Sequence, residues 1–214
     1  MIKAIFFDMD GVLVDSEPLH FEAHKKALEN FGVTLTLNDY MDFGVAKGDE
    51  NLYEKAAQKY GVVIDEDKIS EIKKQIYKEI FAHNGEIIDG VKETLAELFV
   101  KYDLAIVSSG AKDVVRYVLE KSELFEYFKF IVTGDDVKNV KPHPDVYLKA
   151  MELAGVNGDE CVAIEDSQSG VEAAKNAGIR CIAIPNNFTK NQDLSLANQT
   201  VSSARELQKV ILKF

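Results

Sequence analysis

An α/β fold carrying an inserted helical domain is what this chain of 214 residues predicts. Three observations point to it. Short aliphatic or β-branched runs alternate with stretches of helical periodicity, the pattern of a parallel sheet with crossover helices. The alternation lapses between residues 16 and 83, where helical signals follow one another with no strand between them. The composition, 46% hydrophobic with 12 Phe and 8 Tyr, supplies a sizeable core. The length suits one ordinary domain of roughly 150 residues plus a smaller companion.

The expected strands, in order, are 2–7, 104–107, 130–132, 161–164 and 181–184. Two of the intervening segments carry apolar stripes at three- and four-residue spacing: Val91, Leu95, Leu98, Phe99 and Tyr102, then Val146, Tyr147, Ala150, Met151 and Ala154. Such stripes are helix faces that cover a sheet. Inside the insertion, Ser16 is placed to cap a helix with Glu17 and Pro18 in its first turn, carrying Leu19, Ala23, Ala27, Leu28 and Phe31 and stopping at Gly32. Leu52, Ala56 and Tyr60 mark a second helix, and Ile69, Ile72, Ile76 and Ile80 a third. The expected division is therefore a core of residues 1–15 and 84–214 with a helical insertion over 16–83.

Charge and composition exclude several roles. With 36 Asp and Glu against 25 Lys and Arg, the net charge of -11 leaves no basic cluster for a nucleic-acid backbone. No apolar run approaches the roughly 18 residues that span a membrane. Ala4-Ile5-Phe6-Phe7 stops at Asp8, too short for a secretory signal, so the cytoplasm is the expected compartment and a monomer the expected state. Cys161 and Cys181 each lie in an apolar run and are expected to be buried, reduced thiols rather than a disulfide or a metal site. Asn187-Phe188-Thr189 matches a glycosylation sequon that has no meaning without secretion.

The first strand drives straight into Asp8-Met9-Asp10-Gly11, so two carboxylates emerge at a strand's C-terminal end, where open α/β sheets bind ligands. A second apolar strand runs into Glu165-Asp166. Four acids at one sheet edge repel unless a cation neutralises them, and hard oxygen donors suit Mg2+. His20, His24, His83 and His143 show no pattern for a transition metal. Val107-Ser108-Ser109-Gly110 ends a strand in hydroxyls and a glycine, offering a donor and open backbone amides to an anion. Prolines on either side of His143 fix Lys141 just before a helix, where its charge balances the acids.

Taken together and in this order, Asp8-Met9-Asp10-Gly11, Ser108, Lys141 and Glu165-Asp166 resemble the four motifs of the haloacid dehalogenase-like hydrolases. The resemblance covers nearly the whole chain. Asp15-Ser16-Glu17-Pro18-Leu19-His20 and Glu165-Asp166-Ser167-Gln168-Ser169-Gly170 are similar to the branch holding β-phosphoglucomutase and the small sugar-phosphate phosphatases, in which a helical cap follows the first motif. The resemblance implies a Rossmann-like core with helices on both faces and a magnesium-dependent phosphatase acting on a small phosphorylated metabolite. Asp8 is then the nucleophile that forms an aspartyl-phosphate, and Asp10 the general acid and base. Asp8, the backbone carbonyl of Asp10, Glu165 and Asp166 are the implied Mg2+ ligands. Ser108 and Lys141 hold phosphoryl oxygens, with Ser109 and Gly110 beside them. Asp10 argues for phosphoryl chemistry, because the dehalogenases of this family lack that second acid. Ser16, His20 and Lys47 are the candidate leaving-group contacts. Lys47 stands about where the mutase branch places an arginine, and lysine lacks its bidentate fork. A phosphomutase is the alternative reading, and a non-catalytic, receiver-like module a remote one, since receivers carry the phosphoacceptor on a middle strand.

Overall fold

The computed structural model describes residues 1–45 and 48–214. The elements run β1 (Ala4–Phe7), α1 (Glu17–Glu29), α2 (Leu37–Phe43), α3 (Asp49–Tyr60), α4 (Glu66–Asn84), α5 (Val91–Phe99), β2 (Asp103–Val107), α6 (Lys112–Lys121), β3 (Phe130–Val132), α7 (Asp145–Ala154), β4 (Cys161–Glu165), α8 (Gln168–Asn176), β5 (Arg180–Ala183), β6 (Gln199–Thr200) and α9 (Leu207–Ile211). They form two compact units, one of Met1–Asp15 with Glu86–Phe214 and one of Ser16–Gly85.

In the first unit the strands make one parallel sheet in the order β3-β2-β1-β4-β5-β6. The chain winds outward from β1 to β3, then returns to the other side of β1 and winds outward again. β1 and β4 are therefore neighbours across the point where the winding reverses, where such sheets leave a crevice at their carboxyl ends. The register places Phe7 level with Ile106 of β2 and Ile164 of β4, so the residues after all three strands emerge at the same edge.

Side-chain alternation divides the strands between two cores. Ala4, Phe6, Ala105, Val107, Cys161, Ala163, Cys181 and Ala183 face α7 and α8, meeting Val146, Tyr147 and Ala150 of the one and Val171, Ala173 and Ala174 of the other. Small residues predominate on this side, so the helices approach closely and there is room for the fully buried Tyr147. On the opposite side Phe7 meets Val91 and Leu95 of α5 and Leu207 of α9. The two cysteines are buried and unbridged, and burial raises both thiols, which makes them unreactive packing groups.

The second unit is helical throughout its regular structure. Ala23, Ala27 and Leu28 of α1 are buried, as are Ile69, Tyr77 and Phe81 of α4, and His20 stacks on Tyr77 with ring centroids 4.2 Å apart. His24 is buried between Tyr53, whose hydroxyl lies 3.1 Å from Nδ1, and Asp49, whose Oδ1 lies 3.3 Å from Nε2. Asp49 also takes Lys73 at 3.1 Å, so one carboxylate links α1, α3 and α4.

One local expectation needs correction. Ser16 holds the N-cap position of α1, but its hydroxyl makes no capping bond. Its backbone is already helical (φ −95°, ψ −19°), whereas a capping side chain reaches back only from extended geometry. α2 carries no helical period in the sequence; Thr36 starts it by accepting from the Asp39 N–H and donating to its carboxylate.

Candidate active site

β1 is completely buried, and its ladder continues one residue further because the Asp8 N–H donates to Ile164 O at 2.9 Å. The Asp8 carboxyl is thereby fixed at the sheet's centre, 8% exposed. The chain then folds into a tight turn, with Leu13 N–H and Val14 N–H both donating to Met9 O and Gly11 N–H donating to Val14 O. Asp10 stands half-buried on this turn. Gly11 has φ +73°, and a Cβ there would collide with the Asp166 carboxylate and the Asn186 amide, so only glycine suits the position.

Lys141 reaches the site from the loop before α7, with its ammonium almost wholly buried. It donates to Asp8 Oδ1 at 2.5 Å and to Val107 O at 2.6 Å, and pairs with Glu165 Oε1 at 2.7 Å. The ammonium thus gives two hydrogen bonds and a close ion pair to groups of the protein itself. Lys141 was expected to hold phosphoryl oxygens; its contacts here are with Asp8, Val107 O and Glu165, so it bridges the ends of β1 and β4. Burial opposes its charge, but the carboxylates of Asp8 and Glu165 hold it well above the usual lysine range.

Glu165, the last residue of β4, is fully buried. Its Oε1 accepts from the Tyr147 hydroxyl at 2.6 Å and is ion-paired with Lys141, while its Oε2 is buried without a hydrogen-bond partner among the described residues. The carboxylate lies over Gly170 in the first turn of α8, in the space that any Cβ there would need. Asp166 follows, accepting from Asn186 Nδ2 at 2.7 Å. One carboxylate oxygen from each of Asp8, Glu165 and Asp166 lies within 4.8 Å of the others. Asp10 was expected to contribute its main-chain carbonyl, which is not part of that side-chain cluster.

Burial pushes the Asp8 carboxyl up to about 8, with Glu165 and Asp10 adding to the rise and Lys141 opposing it. The nucleophile's role expected of Asp8 would need this carboxyl ionised at neutral pH, and so more positive charge than Lys141 supplies. A hard divalent cation suits the all-oxygen donor set, and the orphaned Glu165 Oε2 is the kind of buried atom such an ion would satisfy.

Ser108 directly follows β2, buried, with its N–H on Val132 O at 3.0 Å. Its Oγ accepts from the Gly110 N–H at 3.0 Å, so that amide, expected to be open to an anion, is already engaged. The hydroxyl still has a proton to donate. Ser109 is exposed on the same turn and Gly110 half-buried. Ser16 and His20 lie at the start of α1 in the helical unit, and Lys47 lies outside the described residues.

The profile of the family described as "Haloacid dehalogenase-like hydrolase" matches residues 5–184. The chain belongs to the haloacid dehalogenase-like hydrolases. Among its curated relatives, the phosphorylated carbohydrates phosphatase of Thermotoga maritima is 37% identical over 187 residues, 85% of this chain and 84% of that protein. Among solved structures, CbbY of Rhodobacter sphaeroides, seen with phosphate and with xylulose 1,5-bisphosphate, is 27% identical with a TM-score of 0.88, covering 97% of this chain and 96% of that one. A β-phosphoglucomutase-like protein of Thermotoga maritima is 29% identical, with a TM-score of 0.79 over 99% of each chain. Within this family the chain is an enzyme of the phosphoric monoester hydrolase kind, which removes the receiver-like reading.

Two residues of the haloacid dehalogenase-like site escaped the sequence. Tyr147 was legible only as part of the apolar stripe of α7, yet its hydroxyl serves Glu165. Asn186 lies beyond β5, and the only local hint was a threonine three residues on, the spacing of a side-chain-to-backbone turn.

Proposed function

We propose that the protein is a magnesium-dependent phosphatase that hydrolyses a small phosphomonoester, a sugar or polyol phosphate, through an aspartyl-phosphate on Asp8. The observation that carries this reading is the convergence of Asp8, Lys141, Glu165 and Asp166 at the carboxyl ends of β1 and β4. Mg2+, held by Asp8, Glu165, Asp166 and the Asp10 carbonyl, supplies neutralisation of the phosphoryl and nucleophile charge when bound.

In the first step Asp8 forms a bond to phosphorus as the bond from phosphorus to the leaving oxygen breaks, and Asp10 gives that oxygen its proton. Lys141 keeps the Asp8 carboxylate in one rotamer by holding Oδ1. The Ser108 hydroxyl donates to a phosphoryl oxygen from the end of β2. In the second step Asp10 takes a proton from water as the water oxygen attacks phosphorus, and the bond to Asp8 breaks to return the carboxylate.

Phosphate release from a panel of sugar and polyol phosphates tests the reading. Turnover should require Mg2+ and vanish in Asp8→Asn, and release that persists in Asp8→Asn would remove Asp8 as nucleophile. A phosphomutase uses the same residues with a sugar hydroxyl in place of water, and likeness to a β-phosphoglucomutase-like structure favours keeping it as the second reading. Formation of glucose 6-phosphate from β-glucose 1-phosphate with a bisphosphate activator would support it.

A further inference from the structure

We propose that Asn186 is a positioning residue for Asp166, and that the loop following β5 exists to hold that carboxylate in the orientation a bound cation needs. The inference rests on the metal-binding role given to Asp166 above. It starts from a run of bonds between two segments far apart in sequence. Ile184 N–H donates to Glu165 O at 2.7 Å, Asn186 Nδ2 to Asp166 Oδ2 at 2.7 Å, and Gln168 N–H to Gln192 Oε1 at 2.8 Å. Residues 165, 166 and 168 are thus each tied to the segment from 184 to 192.

Within that segment the Asn186 side chain has no freedom of assignment. Its Oδ1 accepts from two main-chain donors, the N–H of Phe188 at 2.8 Å and of Thr189 at 3.2 Å. Those donors identify that end of the amide as oxygen, so the NH2 end faces Asp166. The Asn186 N–H in turn donates to the hydroxyl of buried Thr189 at 3.1 Å, and Lys190 N–H to Asn186 O at 2.9 Å. The amide is a preset donor whose aim is fixed before Asp166 meets it. Gly11 completes the seat, because its missing side chain is what lets the Asp166 and Asn186 groups lie against the turn after β1.

The chemistry of the donor fits this role. A lysine or arginine at 186 would neutralise Asp166 and compete with a cation for it. A neutral amide fixes the rotamer and leaves the full negative charge for the ion. Partners of this kind behind metal ligands set affinity through orientation.

The experiment is an NMR titration of 15N-labelled protein with magnesium chloride, which gives a dissociation constant without turnover. Wild type is compared with Asn186→Ala, Thr189→Val and Asp166→Asn, with Tm recorded for each. Asn186→Ala should bind Mg2+ about tenfold more weakly. Thr189→Val removes the hydroxyl that accepts from the Asn186 N–H but leaves the amide and its two main-chain donors in place, so it should lower Tm and weaken Mg2+ binding by much less than Asn186→Ala. Asp166→Asn should lose the saturable shifts. If Asp166→Asn loses them but Asn186→Ala binds like wild type, or if Thr189→Val weakens binding as much as Asn186→Ala, the positioning role is overturned and the metal site stands. If Asp166→Asn titrates like wild type, the metal role of Asp166 itself fails, and the inference falls with it.

Discussion

The charge state of Asp8 makes metal-free stability depend on pH in an unusual direction. A surface aspartate leaves stability nearly flat above pH 5, but Asp8 is raised from 3.8 to about 8 by burial, reinforced by Glu165 and Asp10. The folded protein therefore binds that proton more tightly than the unfolded chain does. The resulting stabilisation is complete below the unfolded value near 3.8 and is lost as pH climbs through about 8. Each pH unit across that window removes about 1.4 kcal/mol, so raising pH from 5 to 9 should cost about 4 kcal/mol. Asp8→Asn isolates this contribution, because it keeps the shape and cannot titrate. Urea unfolding in EDTA, followed by far-UV circular dichroism since the chain has no tryptophan, would be run on both proteins from pH 5 to 9. The wild-type minus Asp8→Asn difference should slope downward by that amount, and Mg2+ should flatten it by favouring the carboxylate. Parallel curves in EDTA would refute the buried, protonated Asp8.

Other consequences are separable. Gly170→Ala places a Cβ where the Glu165 carboxylate lies, so it should destabilise by about 1–3 kcal/mol by calorimetry. Helix propensity alone predicts the opposite sign, by about 1 kcal/mol, and a stabilised variant would refute the carboxylate's placement. In the helical unit, burial and then Lys73 lower His24 to about 4 against the pull of Asp49. Its contribution is intact above pH 6.5 and lost as pH falls toward 4, worth about 3 kcal/mol at the limit. The acid limb of stability in His24→Gln should be shallower by that amount, and an unchanged limb would count against the buried neutral imidazole. Leu95→Ala, in the α5 face against Phe7, should cost about 2–5 kcal/mol in urea unfolding.

What could be read from the chain was whatever leaves a local mark. Strands such as Ala4–Phe7 and Cys161–Glu165 are apolar runs ending in acids, so both their position and the chemistry at their ends are written in consecutive residues. β6 leaves no such mark, since Gln199–Thr200 is exposed and polar and is a strand only because β5 offers an edge. α2 has a single buried aromatic, Tyr40, and too few turns to show a period. Asn186 and Tyr147 became legible only once the sheet brought them to Asp166 and Glu165, 20 and 18 residues away. The bridging of Asp8 and Glu165 by Lys141, and capture of the Gly110 amide by Ser108, are likewise properties of assembled geometry rather than of spacing.

In the proposed reaction Asp8 carries the phosphoryl group. Acid quench during turnover of the best substrate with Mg2+, followed by peptide mass spectrometry, measures this directly. One added phosphoryl group is expected on the peptide that contains Asp8, and none in Asp8→Asn. Phosphate release with that peptide unmodified, or with the group on another residue such as Ser108, would contradict it.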